Sequence, residues 1–520
     1  MAETVVRERG IQFSSNVFVN VAVFALNFVV GLLLVPFFIN QLGVAAYGLI
    51  PLATTATSYV VVIADSMGAA MSRFMTGAMN KNDTEDANKT YSTATIGILM
   101  IVLILIPIMI LLAWISPEIF DIATSSAHDV RFLFMAIFIS MLINVAGYGF
   151  TSVLFAKNRI DYQASVKFVQ IGLQTTLIVA LFYIFPPSLV SIGIAYLLAS
   201  VVALALVFIL SKKVFPEGKV RRQNFNRCTF RSMMSLSAWE TMDQIGSMLF
   251  AQASLIIANP LLGATEAGKF AIVIMMTGAI YALSSAIYVA IRPLVYLKYE
   301  EGKSDEMVKI CVSGAKIGGT VMAMPMAFIC VFSAQILMLW VGPGFEELSI
   351  ILWLMFFVLM GNIAMYFVFP ISTAYFKVKN RGIATVLCGI LNIVLAVVFI
   401  LYFDMGIVGV GLAWAISLAV KNWIFTPWYH AKITGKPLWV FYKPYVFFSS
   451  AFLLTAAIGL MLNTYFTVPT SFIVILTMIS LWFLVHIVIV FRILISKSEK
   501  ELVFMCIPER FRKFFSKIML

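Results

Sequence analysis

Between Ile11 and Ala64 the chain carries no Lys, Arg, Asp or Glu, and the same holds for Phe168–Ser211 and Pro444–Phe491. Each run is long enough for two membrane helices of about 20 residues joined by a tight turn. A backbone surrounded by lipid must satisfy its own hydrogen bonds, so runs of this kind cross the bilayer as helices. Composition agrees: 62% of the 520 residues are hydrophobic and 12% charged, against roughly 25% charged in a soluble protein. The polar start MAETVVRERGIQFSSN leads into an apolar run too long for a signal-peptide core, so that run reads as a retained first span.

The chain therefore reads as an all-α polytopic membrane protein of about 14 transmembrane helices. Charge sets its orientation. With the N-terminus in the cytoplasm, all of the 36 Lys and Arg except Arg131 and Lys269 fall on cytoplasmic segments or the near ends of spans. The outer loops carry Glu118, Asp121, Asp129, Glu266, Glu346, Glu347 and Asp404 instead. This asymmetry predicts a multi-pass protein of the cell membrane with both termini cytoplasmic. The net charge of +12 is then a topology signal and a contact with anionic lipid, not a nucleic-acid surface. Five scattered cysteines and three distant histidines indicate no disulfide framework, metal site or cofactor.

The sequence also matches itself. LGVAAYG (Leu42–Gly48) pairs with LGATEAG (Leu262–Gly268), and NVAGY (Asn144–Tyr148) with NIAMY (Asn362–Tyr366). KNR recurs at Lys157–Arg159 and Lys379–Arg381, and GIAY (Gly193–Tyr196) pairs with GLAW (Gly411–Trp414). All four pairs keep their order at an offset of about 220 residues. Two six-helix copies with an even number of spans each are parallel, related by an axis along the membrane normal. The expected organisation is a lobe over 12–211 (spans 1–6), a basic cytoplasmic linker over 212–231 and a second lobe over 232–429 (spans 7–12). Two further helices follow over 444–495, and 496–520 reads as an amphipathic cytoplasmic tail on anionic lipid.

Six plus six plus two helices, with FFINQLGVAAYGLI ending span 1, ADSMGAAMSRF ending span 2, ILMLWVGPGFEE after span 9 and DMGIVGVGLAWAIS entering span 12, resembles the multidrug/oligosaccharidyl-lipid/polysaccharide exporter superfamily. Within it the chain is similar to polysaccharide-biosynthesis flippases of the Wzx type, over about residues 11–495. The resemblance implies two lobes around a cavity that opens alternately to either side. It implies as cargo an oligosaccharide on a polyprenyl phosphate or diphosphate carrier, with membrane lipids and Na⁺ or H⁺ as further partners and a monomer as the working unit. Drug-exporting relatives often carry a carboxylate in span 1 and peptidoglycan-precursor flippases an arginine; span 1 here offers only Asn16, Asn20 and Asn27.

Such a cargo has three parts. Its phosphate asks for Arg or Lys. Arg73 and Arg292 end the equivalent spans 2 and 8, each seven residues after a serine (Ser66, Ser285), and are the first candidates, against the reading that they merely end helices. Lys316, inside span 9, is a deeper cation or one that snorkels to the interface. The KNR loops read as topology determinants. The sugars ask for amides, and Asn20, Asn144 and Asn362 lead a set that includes Asn27, Gln170, Gln174, Gln244, Gln252 and Asn392; many such amides only join helices. The tail asks for an apolar groove, which the nearly featureless spans 13–14 suit. His486 reads as an interior histidine with its bonds satisfied.

Span 7 poses a separate problem. Glu240 and Asp243 stand three residues apart on one helix face, roughly 12–17 Å from the cytoplasmic entrance at 1.5 Å per residue. A lipid-facing charge at that depth costs about 2.5–3.5 kcal/mol, so both are expected to face the protein interior or water. Asp65 in span 2 lies at comparable depth. Two readings stand: the acids neutralise Lys316 or another interior cation, or they form a coupling site that trades a proton or Na⁺. For the molecule as a whole, the rivals to a flippase are an ion-coupled multidrug or small-cation exporter and, further off, a membrane polysaccharide polymerase or ligase. The last needs a large outer loop with catalytic groups, and Ser116–Val130 offers only His128 and a few acids. The chain is therefore not expected to be an enzyme.

Overall fold

The computed structural model describes residues 19, 22–23, 25–27, 29–80, 84–122, 125–157, 159–375, 377–465, 482 and 486. Its helices run in chain order: α1 (Ala25–Leu42), α2 (Val44–Asn80), α3 (Thr84–Ile119), α4 (Ala127–Ala146), α5 (Tyr148–Ala156), α6 (Ile160–Ile184), α7 (Leu189–Val214), α8 (Arg227–Ala251), α9 (Ala253–Leu262) and α10 (Ala264–Glu300). They continue with α11 (Ser304–Val331), α12 (Ser333–Trp340), α13 (Ser349–Tyr366), α14 (Phe369–Ala374), α15 (Val378–Leu401), α16 (Gly406–Ala419), α17 (Thr426–Thr434) and α18 (Trp439–Tyr465). A π-helical segment, Val420–Phe425, links α16 to α17. Among the described residues 13 helical stretches are long and apolar enough to cross a membrane, and no strand occurs. The molecule is an all-α polytopic membrane protein. A fourteenth span over 469–495 and the tail over 496–520 lie outside the described residues, apart from Trp482 and His486.

Several expected single spans are broken in the middle. The 131–156 span divides at Gly147 into α4 and α5, 232–258 divides at Gln252, and 407–429 contains the π segment. Periodicity of apolar residues does not register such breaks, because each half keeps its apolar face. The side chains of α3 show where lipid lies: Leu103, Ile104, Leu111 and Trp114 are exposed while Ile98, Val102, Met109 and Ala113 are buried.

The chain forms two compact units, Met1–Met248 with Ala258–Gly268, and Leu249–Ile257 with Lys269–Leu520. In the first, α4 packs between α3 and α7, α6 lies along α7, and α2 along α5. In the second, α11 packs along α18 and α13, and α16 along α15 and α13. Lipid is as apolar as leucine, so close packing and interhelical hydrogen bonds hold such units together. The repeated LGxxxxG motif shows the device. Gly43 and Gly263 turn the chain with φ of +82° and +93°, a conformation that disfavours any side chain with a Cβ. The last glycines of the two copies, Gly48 and Gly268, then meet. A Cβ on Gly268 would lie 2.5 Å from the Val44 carbonyl oxygen, and one on Gly48 would lie 2.9 Å from the Gly268 Cα.

The two basic residues expected on the acidic side of the membrane are both neutralised. Arg131 donates to the Trp114 carbonyl at 2.9 Å, lies 3.6 Å from Glu118 and covers the Trp114 ring. Lys269 pairs with Glu347.

Candidate functional site

In the first unit five helices converge on a cavity of about 450 Å³. The spacing of the sequence builds it. Gln163, Lys167, Gln170 and Gln174 recur on one face of α6, at the four- and three-residue steps of a helix. Tyr196, Ser200 and Ala203 do the same on α7, and Thr54, Thr57 and Val61 on α2. Ser140 and Asn144 come from α4, and the break at Gly147 turns Tyr148 and Thr151 of α5 toward the same space.

The polar groups are ordered by one another. The Gln170 Nε2 donates to Asn144 Oδ1 at 3.1 Å and to Ser200 Oγ at 3.3 Å, and Asn144 Nδ2 donates to the same hydroxyl at 3.3 Å. Gln163 Nε2 donates to the Thr151 carbonyl at 2.7 Å. The Tyr148 hydroxyl donates to the exposed carboxylate of Asp65. Lys167 is exposed and brings the cation of the set. A wall of amides, hydroxyls and aromatic edges with one positive charge presents both donors and acceptors, which is what a polyhydroxylated or phosphate-bearing ligand needs.

The second unit carries the same motif, and its asparagine is enclosed. Asn362 stands where Asn144 stands in its own motif, and it is buried. Its Nδ2 donates to the Tyr281 hydroxyl, and its Oδ1 accepts from Asn422 Nδ2 at 2.5 Å. A π-helical turn leaves carbonyls without their usual helical partners, and side chains supply them. Thr426 Oγ1 donates to the Lys421 carbonyl at 2.9 Å, the Tyr442 hydroxyl to the Trp423 carbonyl at 2.6 Å, and the Tyr445 hydroxyl to that of Asn422. Trp423 Nε1 reaches the Val358 carbonyl at 3.2 Å and fills the space beside Gly361. Lys421 is 7% exposed, with Nζ 5.4 Å from the Phe250 ring centre and 5.9 Å from that of Phe369. Asn392, at the same distance past its KNR triplet as Gln170, donates instead to Ser254 Oγ at 3.1 Å.

The other sequence-derived candidates scatter. Asn144 alone of the leading amides lines the first-unit cavity; Asn362 is enclosed in the second unit, and Asn20 lies outside the described residues. Arg73, Arg292, Glu240 and Asp243 sit on α2, α10 and α8, but their side chains lie outside what the structure describes. Lys316 is half-buried, its Nζ 4.1 Å from the Phe447 ring centre. Asn27 donates back to the Val23 carbonyl on its own helix. In the KNR loops Arg159 makes a bidentate bond to Asp161 at 3.0 Å and lies 3.6 Å over the Tyr162 ring, the carboxylate holding the guanidinium even more firmly protonated. Arg381 donates to the Phe369 carbonyl and Ser372. His486 is buried and bonded to the Thr320 carbonyl at 2.9 Å. Among the described residues no group of three or more His, Cys, Asp or Glu could hold a metal.

Sequence reasoning missed Lys167, Tyr148 and Lys421. For Lys421 a signal existed. Carrying the offset between Gly193 and Gly411 forward sets Lys421 against Ala203 and Asn422 against Leu204, so the two copies differ by a lysine and an amide inside a span.

Comparison with known proteins gives a consistent result. Residues 13–295 match the family described as polysaccharide biosynthesis protein. The chain is 28% identical over 432 residues to the uncharacterized membrane protein EpsK of Bacillus subtilis strain 168, covering 83% of this chain and 86% of that one. Among solved structures it superposes on the Lipid II flippase MurJ in an inward closed conformation, with a TM-score of 0.66, 17% identity, and 94% of this chain and 100% of that chain covered. It also superposes on an inward-facing multidrug resistance MATE family transporter of the MOP superfamily, with a TM-score of 0.62, 15% identity, and 80% and 98% covered. At these identities the two structures establish the fold.

Proposed function

Because the chain belongs to the polysaccharide biosynthesis protein family and has the fold of membrane exporters and flippases, we propose that it flips a lipid-linked oligosaccharide across the membrane. The cargo travels on a polyprenyl phosphate or diphosphate carrier, from the cytoplasmic to the outer leaflet of the cell membrane, by alternating access. The observation that carries this reading is the cavity of the first unit, where Asn144, Gln170 and Ser200 form a bonded cluster beside Gln163, Tyr148 and Lys167. Amides and hydroxyls that already bond one another keep spare donors and acceptors, and sugars bind by exchanging water for such groups.

In this reading the cavity holds sugar, Lys167 attracts the phosphate together with Arg73 and Arg292, which lie inside α2 and α10 and do not end them as the sequence suggested, and no bond is made or broken. Glu240 and Asp243 repel a phosphate, so their place is structural or in ion coupling. The family match favours the flippase over the exporter of drugs or small cations, whose fold is the same.

The test is reconstitution. Liposomes holding the protein and a polyprenyl-diphosphate oligosaccharide are treated with an impermeant lectin. Sugars of the inner leaflet should become accessible with time, and should stay protected in liposomes without the protein. Persistent protection, together with uptake of a lipophilic cation, would establish the exporter reading instead.

A further inference from the structure

The second unit carries a groove that the transport reading does not use. We propose that the cleft between α15 and α17 is a binding site for one anionic phospholipid.

The cleft encloses about 810 Å³, within the range of small-molecule sites. Its rim carries Lys377, Lys379 and Lys432, and among the described residues no acid lines it. Lys377 and Lys379 open α15, and Lys432 closes α17. Lys432 stands at a helix C-terminus, which favours cations, and Lys377 and Lys379 stand at the N-terminal end of α15, which favours an anion beside it. A negatively charged occupant of the cleft lies close to all three lysines and to the helix start together. Lys432 Nζ lies 5.2 Å from the centre of the Trp428 ring, and the Tyr429 hydroxyl donates to the Lys377 carbonyl at 2.7 Å. The rim is thus held by ring and backbone contacts.

Below the rim the cleft is apolar, and it opens onto a stripe made for chains. Ile383 and Leu387 are exposed, and Ile390 and Val394 continue the line along α15 at helical spacing. Trp428 and Ile424 face outward from the other wall. A free phosphate would use the lysines and leave this stripe idle. A phospholipid uses both, with its phosphate at the rim and an acyl chain along α15. Basic pockets between membrane helices on the cytoplasmic side bind anionic head groups in this manner. The charge distribution places this rim on that side.

The experiment is native mass spectrometry of the full-length protein in detergent, titrated with phosphatidylglycerol and with phosphatidylcholine of the same chains. Phosphatidylglycerol should bind as one tight copy, at least tenfold more tightly than phosphatidylcholine. Lys377→Gln, Lys379→Gln and Lys432→Gln combined should weaken it about 10²-fold, since each surface lysine is worth about fivefold. The matching triple Arg variant should retain it, and Leu387→Ser with Ile390→Ser should weaken it with the lysines intact. Equal affinity for the two lipids, unchanged binding in the triple Gln variant, or displacement by millimolar inorganic phosphate would overturn the proposal. So would displacement by an equimolar polyprenyl phosphate, which would assign the groove to the carrier.

Discussion

Asn144 lines an open cavity of the first unit together with Ala203 and Leu204; in the second unit Asn362 and the counterparts of those two residues, Lys421 and Asn422, are all buried, and Asn422 bonds Asn362. The helices and the anchoring asparagine are common to both. The difference comes from two substitutions, a π turn and a helix outside the repeat. Tyr442 and Tyr445 of α18 bond the carbonyls that the π segment releases. Two units that share a sequence motif can therefore set its asparagine beside an open polar cavity in one and inside a packed joint in the other. The same asparagine then has opposite duties: accessible bonding capacity in one unit, cohesion in the other.

Substitutions can break that contrast, and the largest effect is expected at Gly361. A Cβ there would lie 1.9 Å from Trp423 Nε1. Gly361→Ala should cost about 1–3 kcal/mol of stability, seen as a lower thermal unfolding midpoint of the purified protein; an unchanged midpoint would show that the joint is not packed. Next comes Asn362→Leu, which strands the Tyr281 hydroxyl and the Asn422 amide and should cost about 1–2 kcal/mol. Asn144→Leu, beside an open cavity, should cost about 0.6 kcal/mol or less in the same melt. Equal losses at the two asparagines would erase the distinction. A similarly small effect is expected from Tyr445→Phe, which removes one donor from the Asn422 carbonyl, at about 0.6 kcal/mol. Its comparison is Tyr148→Phe, whose partner Asp65 is exposed, and which should leave the midpoint unchanged.

Much of this was legible before any coordinates. Lys, Arg, Asp and Glu are so costly in lipid that their absence from Ile11–Ala64 marks membrane helices outright, and the four repeated motifs mark the duplication. LGVAAYG and LGATEAG were readable as copies, and the structure supplies the reason for their glycines: two positive φ turns and a backbone contact at Gly48 and Gly268. The site was less legible. Asn144 and Asn362 look alike in sequence because both open the same motif, and only packing separates them. Lys167 and Lys421 escaped notice because a single lysine near a span's end reads as a topology marker. The π segment is invisible to periodicity, since Val420–Phe425 contains no Gly or Pro to signal a break in the helix.

The central claim is that the first unit binds the cargo while the second unit's equivalent cluster holds the fold. It is tested most directly by flipping measured per folded molecule. Proteoliposomes containing wild type, Asn144→Leu with Gln170→Leu, or Asn362→Leu are compared for the initial rate at which a lipid-linked oligosaccharide becomes accessible to an impermeant lectin, normalised to the folded fraction. The account predicts a loss of about tenfold or more for the Asn144/Gln170 variant, equivalent to about 1.4 kcal/mol, with its melting curve near that of wild type, and a normal rate per folded molecule for Asn362→Leu. A wild-type rate in the Asn144/Gln170 variant, or a tenfold loss confined to Asn362→Leu, would contradict it.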